Sequence, residues 1–124
     1  MIEFLEGRTG GGIAMRLRYV IKFVSDMDQA VAFHRDALCL PLKFASPDWS
    51  EFATGETTLA LHGATDEHPA ATVELGFDSD DIDAFYAERD ARGVTFSEAP
   101  KDLHGMRVGK ILDPDGAEMS VGGR

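Results

Sequence analysis

Cysteine is nearly absent from this 124-residue chain: Cys39 stands alone, so no internal disulfide can form. That excludes the small secreted domains that rely on such bridges in place of a core. Positive charge is scarce too, with 12 Lys and Arg against 22 Asp and Glu and a formal net charge of -10. A surface this acidic repels phosphate backbones and anionic lipids, which argues against nucleic-acid and membrane partners. No apolar run approaches the roughly 20 residues of a spanning helix, and no basic start with an apolar stretch suggests a signal peptide. The sequence also lacks a phosphate-binding loop, a G-x-S-x-G elbow, a CxxC pair and a basic aromatic platform. A soluble, acidic protein with a cytoplasmic location is expected, and its charge favours a neutral or cationic small partner.

What is present suffices for one domain, since a chain of this length buries roughly two thirds of its unfolded surface without staples. Residues 1–14 read as a flexible extension, because the Thr9-Gly10-Gly11-Gly12 run has almost no side chains to pack. Residues 15–124 carry the pattern. Leu17 to Val24 is β-branched and aromatic and reads as a strand. Ser25 or Asp26 then caps a helix over Met27 to Leu38, with Met27, Ala30, Val31, His34, Ala37 and Leu38 on one face. Short strands follow at Leu42 to Ala45, Trp49 to Ala53 and Thr57 to His62.

The second half repeats that order. Ala71 to Phe77 is a strand, and Asp78 or Ser79 caps a helix from Asp80 to Arg92 that Gly93 stops. Val94 to Ser97, Arg107 to Leu112 and Ala117 to Val121 complete it, with Asp113-Pro114-Asp115-Gly116 as a tight turn. Sliding the halves by about 53 residues places Tyr19 on Thr72 and Val24 on Phe77, which reads as a tandem duplication. The predicted class is α+β, with two βαβββ modules at 16–63 and 70–123.

The run from Tyr19-Val20-Ile21-Lys22-Phe23-Val24-Ser25-Asp26 through Phe33-His34, with Leu38-Cys39-Leu40 after it, resembles the opening of the vicinal oxygen chelate superfamily. That is the glyoxalase, bleomycin-resistance protein and extradiol dioxygenase group. The Asp113-Pro114-Asp115-Gly116 turn matches the corresponding signature of the second module. The resemblance implies an open curved sheet around a cleft, with helices on the outside and a homodimer as the usual assembly. If Tyr19 faces the cleft, Ile21 and Phe23 do as well, while Val20 and Val24 lie under the helix. By the same alternation Thr72 and Glu74 share the cleft face, as do Glu118 and Ser120. Val73 and Leu75 fall beneath.

Catalytic members of that group hold a divalent metal at four strand positions, which the resemblance places on Tyr19, Ala60, Thr72 and Ser120. Ala60 has no donor, and neutral hydroxyls bind divalent ions weakly, so no metal cofactor is expected. A shifted set of His62, Glu74 and Glu118 supplies one imidazole and two carboxylates and is the alternative metal site. Glu74 is the candidate catalytic residue, as a general base on an acidic C–H, but it needs a second group to hold the oxyanion that results. The candidate ligand-binding cleft comprises Tyr19, Trp49, His62, Thr72, Glu74, His104 and Ser120.

The remaining candidates have blander readings. His34, on the helix's apolar stripe, reads as a packed, hydrogen-bonded core residue. Cys39 follows the helix at a position where a left-handed backbone would cost a non-glycine residue about 1 kcal/mol. Trp49, Phe44, Phe52 and Phe96 either line an apolar cleft or fill ordinary core. The favoured function is small-molecule binding without the usual metal, akin to the group's drug-sequestering members. The alternative is a metal-dependent lyase, isomerase or dioxygenase, similar to lactoylglutathione lyase, working through the shifted site.

Overall fold

The computed structural model describes residues 13–123. Each half contributes four strands to one open eight-stranded sheet. The first half comprises β1 (Met15–Val24), α1 (Met27–Ala32), β2 (Leu42–Phe44), β3 (Trp49–Ala53) and β4 (Thr58–Gly63). The second comprises β5 (Val73–Ser79), α2 (Ile82–Ala87), α3 (Arg89–Arg92), β6 (Thr95–Leu103), β7 (Met106–Leu112) and β8 (Glu118–Gly123). The strand order is β2-β3-β4-β1-β5-β8-β7-β6, with β1 parallel to β4 and β5 parallel to β8. The modules meet where β1 and β5 pair antiparallel, Ile21 opposite Glu74 and Tyr19 opposite Gly76. The α+β class and the two βαβββ modules expected from the sequence are therefore present. The extension proposed for residues 1–14 lies outside the described residues except for Ile13 and Ala14.

Helices α1 and α2 each start at an aspartate whose carboxylate accepts a backbone N–H three residues on, Asp26 from Gln29 and Asp81 from Ala84, each at 3.0 Å. The second cap falls beyond the Asp78 or Ser79 expected from the sequence; Ser79 accepts instead from the Asp81 N–H at 3.2 Å. Past Ala32 the first helix widens into a π turn over Phe33–Ala37, with the Leu38 N–H donating to the Phe33 carbonyl at 3.2 Å. Cys39 follows with φ 58°, the left-handed backbone anticipated there.

The helices cover one face of the sheet. Under α1, Val31 packs with the fully buried Phe52 and Leu61, flanked by Val24 and Met27. Burial of each such side chain contributes about 1.5–3 kcal/mol. Under α2, Ile82, Phe85 and Val121 are buried, and Phe96 stands edge-on to Tyr86 at 4.8 Å. Phe52 and Phe96 thus belong to the helix side, and Phe44 is exposed. Val73 and Leu75 were expected beneath a helix, yet both are exposed, because α1 packs over β4 while α2 lies over β6 and β8. His34 is 4% exposed; its Nδ1–H donates to the Ala30 carbonyl at 2.7 Å, and Lys22 Nζ donates to Nε2 at 3.4 Å.

Candidate functional site

The opposite, concave face encloses a cavity of about 380 Å³. Alternation along β1 turns Tyr19, Ile21 and Phe23 into it, while alternation along β3 adds Trp49 and Glu51 and leaves Ser50 and Phe52 on the helix side. Ile21, Phe23 and Ala60 form the apolar base, and Tyr19 meets Trp49 edge-on at 5.7 Å. From the second module, Glu74, Val108, Lys110 and Ser120 join the lining. Gly76 is required between Tyr19 and Ser120: a Cβ there would come within 3.0 Å of Ser120 Oγ and 3.3 Å of Tyr19 Cβ.

Of the seven residues proposed for the cleft, Tyr19, Trp49, His62, Glu74 and Ser120 line this cavity. Thr72 does not. It precedes β5, is exposed, and donates its hydroxyl to the Pro69 carbonyl at 2.6 Å. His104 occupies the tight β6–β7 turn at φ 52° and is exposed, whereas its neighbours Leu103 and Met106 reach the cavity.

The lining carboxylates are all ion-paired. Glu51 accepts the Trp49 indole N–H at 2.7 Å and faces Lys43 at 3.3 Å. Asp78 pairs with Arg16 at 3.1 Å. Glu74 is 6% exposed, and Lys110 Nζ stands 3.3 Å from its Oε2 and 3.8 Å from Glu118 Oε1. His68 completes the cluster, with Nε2 3.1 Å from Glu74 Oε1 and 3.9 Å from Glu118 Oε1. The other Glu118 oxygen accepts the Ser97 hydroxyl at 2.7 Å.

The histidine beside Glu74 and Glu118 is thus His68, whereas the shifted set predicted from the sequence held His62. One atom from each of His68, Glu74 and Glu118 lies within 4.8 Å of the others. His62 lines the cavity nearby, with Nδ1 2.7 Å from the Gly63 carbonyl and its ring 5.0 Å from Phe23. His68 reaches the cluster from the loop between the modules by stacking on Phe23 at 4.5 Å and 14°. Sequence reasoning missed His68, Lys110 and Glu51. Glu51 had a signal, since it lies two residues from Trp49; Lys110 stands on a strand that held no proposed cleft residue. His68, in an irregular loop, had none.

Structural equivalence also moves one of the four strand positions. The helix caps Asp26 and Asp81, the helix starts Met27 and Ile82, and the strand ends Val24 and Ser79 are each 55 residues apart. Tyr19 therefore corresponds to Glu74 rather than Thr72. Ala60, the partner of Ile21, corresponds to Ser120, the partner of Gly76. The quartet at the pseudo-twofold is Tyr19, Ala60, Glu74 and Ser120.

Residues 16–121 match the Glyoxalase/Bleomycin resistance protein/Dioxygenase superfamily, and the chain belongs to it. Among solved structures, a superfamily member from Vibrio splendidus 12B01 aligns with TM-score 0.66 and 17% identity over 90% of this chain and all of its own. Methylmalonyl-CoA epimerase from Mycobacterium tuberculosis aligns with TM-score 0.71 and 18% identity over 86% of both chains. A hypothetical protein from Bacillus halodurans C-125 aligns with TM-score 0.71 and 14% identity over 90% of this chain and 95% of its own. At such identities the likeness establishes the fold. No protein of curated function matches.

Members of this family often use divalent metals, and the donors of the quartet do not fit one. At the quartet, Ala60 offers no atom, and Tyr19 and Ser120 offer only hydroxyls. At the neighbouring cluster, Lys110 already supplies positive charge to both carboxylates. Among the described residues no buried side-chain polar atom lacks a hydrogen-bond partner, and the buried Glu74 carboxylate is met by the protein's own groups.

Proposed function

We propose that this protein binds a small, largely apolar molecule in its concave cleft without a divalent metal. The observation that carries this reading is a cavity of about 380 Å³ with an apolar base and every lining carboxylate ion-paired. Its size falls in the range of small-molecule sites, and a few polar groups on apolar walls are their usual make-up. A cationic ligand, the partner suggested by the net charge, has to displace an existing pair. A neutral ligand with one hydrogen-bonding group does not, since the Tyr19 and Ser120 hydroxyls both face the cavity.

The alternative is metal-dependent lyase, isomerase or dioxygenase chemistry at a shifted site, with Glu74 as base; the approach of His68, Glu74 and Glu118 favours it. Lys110 stands against it. The family is typically dimeric, and a homodimer is proposed here on that ground, testable by sedimentation. No helix among the described residues is long and apolar enough to cross a membrane, and the cytoplasmic location proposed from the sequence stands beside that.

The sequence contains one tryptophan, and Trp49 lines the cavity, so its emission reports on the cleft alone. EDTA-treated protein titrated with naphthol, naphthalene sulfonate and naphthylmethylamine compares neutral, anionic and cationic probes of one shape. A saturable change with naphthol, lost in Ser120→Leu, supports the proposal. If EDTA-treated protein responds to none of them and zinc-loaded protein does, the metal-dependent reading replaces it.

A further inference from the structure

We propose that Lys110 is the resident cation of the Glu74–Glu118 cluster: its ammonium holds the place between the two carboxylates that a divalent ion would take, and so sets the site against metals. The inference rests on the metal-independent reading above and names the residue responsible for it.

The geometry is that of three potential metal donors with an ammonium against two of them. His68, Glu74 and Glu118 present three donor atoms within 4.8 Å of one another, one imidazole and two carboxylates, a set that binds first-row divalent ions. Lys110 Nζ stands 3.4 and 3.3 Å from the two Glu74 oxygens and 3.8 Å from Glu118 Oε1. Two carboxylates with a neutral imidazole balance a doubly charged ion. With Lys110 present, such an ion meets a like charge on the same oxygens, with little water to screen it beside a Glu74 that is 6% exposed. The strand fixes which face the lysine leaves from. Val108 and Lys110 alternate onto the concave face of β7, whose backbone pairs with β6 on one side and β8 on the other, Lys110 opposite Glu98 and Ser120.

The Lys110 side chain is 23% exposed, against 45% for Lys43 and 61% for Lys101, so its ammonium is the more withdrawn from water. Removing it leaves two unbalanced carboxylates, which destabilises the metal-free protein. A divalent ion should then bind and restore that stability by mass action.

The test uses full-length Lys110→Met and Lys110→Gln, either of which carries it if the other fails to fold, together with Lys110→Arg and the double variant Lys110→Met, Glu74→Gln. Zinc affinity is measured by calorimetry, and zinc-dependent melting is recorded alongside. The neutral variants are expected to bind one zinc ion at least about tenfold more tightly than wild type and to melt higher with zinc than without. Lys110→Arg keeps the cation and should behave as wild type; the double variant should lose the gain, which separates the cluster from the other histidines. If the neutral variants bind zinc as poorly as wild type, the role of Lys110 is overturned while metal-independent ligand binding stands. If wild type itself takes up zinc through Glu74 as tightly as they do, both readings fall.

Discussion

Asp26 and Asp81 sit at equivalent points of the two modules, and each carboxylate accepts an amide N–H three residues on at 3.0 Å. Neither helix is long enough to be stable alone, so each depends on its cap and its packing. Asp26→Ala and Asp81→Ala should each cost about 1 kcal/mol. The caps share no partner, and the double variant should lose close to the sum. Urea unfolding of the three proteins measures this.

The same equivalence explains how far the candidate site was legible in the sequence. Strands, helices and module order follow from apolar alternation and turn residues, which act locally, and they were placed within about two residues, except that β6 runs to Leu103, well past the expected end at Ser97. The offset between modules was not local. Matching Val24 with Phe77 by hydrophobicity gave 53 residues, whereas the caps set it at 55, and the slip put Thr72 where Glu74 stands. Glu74 itself was legible from alternation. Its partners were not: Lys110 meets it only because β8 lies between β5 and β7, and His68 only because its loop folds over Phe23. Pairings across a sheet depend on strand order, and one sequence read alone does not contain it.

Cys39 adopts φ 58°, in the left-handed region where a Cβ crowds the following carbonyl. Its thiol is exposed and donates to the Asp36 carbonyl at 3.6 Å, a weak bond that compensates little. Cys39→Gly should therefore stabilise the protein by about 0.5–1 kcal/mol, the relief of strain exceeding glycine's greater freedom in the unfolded chain. Thermal melting of the two proteins decides the sign.

Arg107 on β7 clasps Asp83 in the first turn of α2, its Nη2 2.9 Å and its Nε 3.2 Å from the carboxylate. Those hydrogen bonds hold the Asp83 carboxyl below its ordinary value of 3.8; desolvation opposes them weakly, and the guanidinium charge adds to them. A carboxylate depressed on folding contributes stability above its unfolded pKa and loses it as pH falls through the folded one. The clasp should therefore be intact at neutral pH and fail only below about pH 4. An NMR titration of the Asp83 carboxyl carbon should show the low value in wild type and its return to the ordinary range in Arg107→Gln. Since both groups are solvent-exposed, the acid-unfolding midpoint should move little.

His34 tests whether the two faces of the sheet are functionally separate. Its Nδ1–H is committed to the Ala30 carbonyl, so Nε2 is the acceptor facing the Lys22 ammonium, and the ring packs 5.7 Å from that of Phe52. All of these contacts lie on the helix side, and none involves a residue that lines the concave cavity. His34→Ala removes a buried ring together with its hydrogen bonds to Lys22 and the Ala30 carbonyl, a loss of about 2–4 kcal/mol. If the cleft binds its ligand as proposed, the naphthol titration followed at Trp49 should give an unchanged midpoint in whatever fraction remains folded. A weakened midpoint in fully folded His34→Ala would mean that α1 packing shapes the concave face, and the cleft would then have to be understood together with the helix that covers its back.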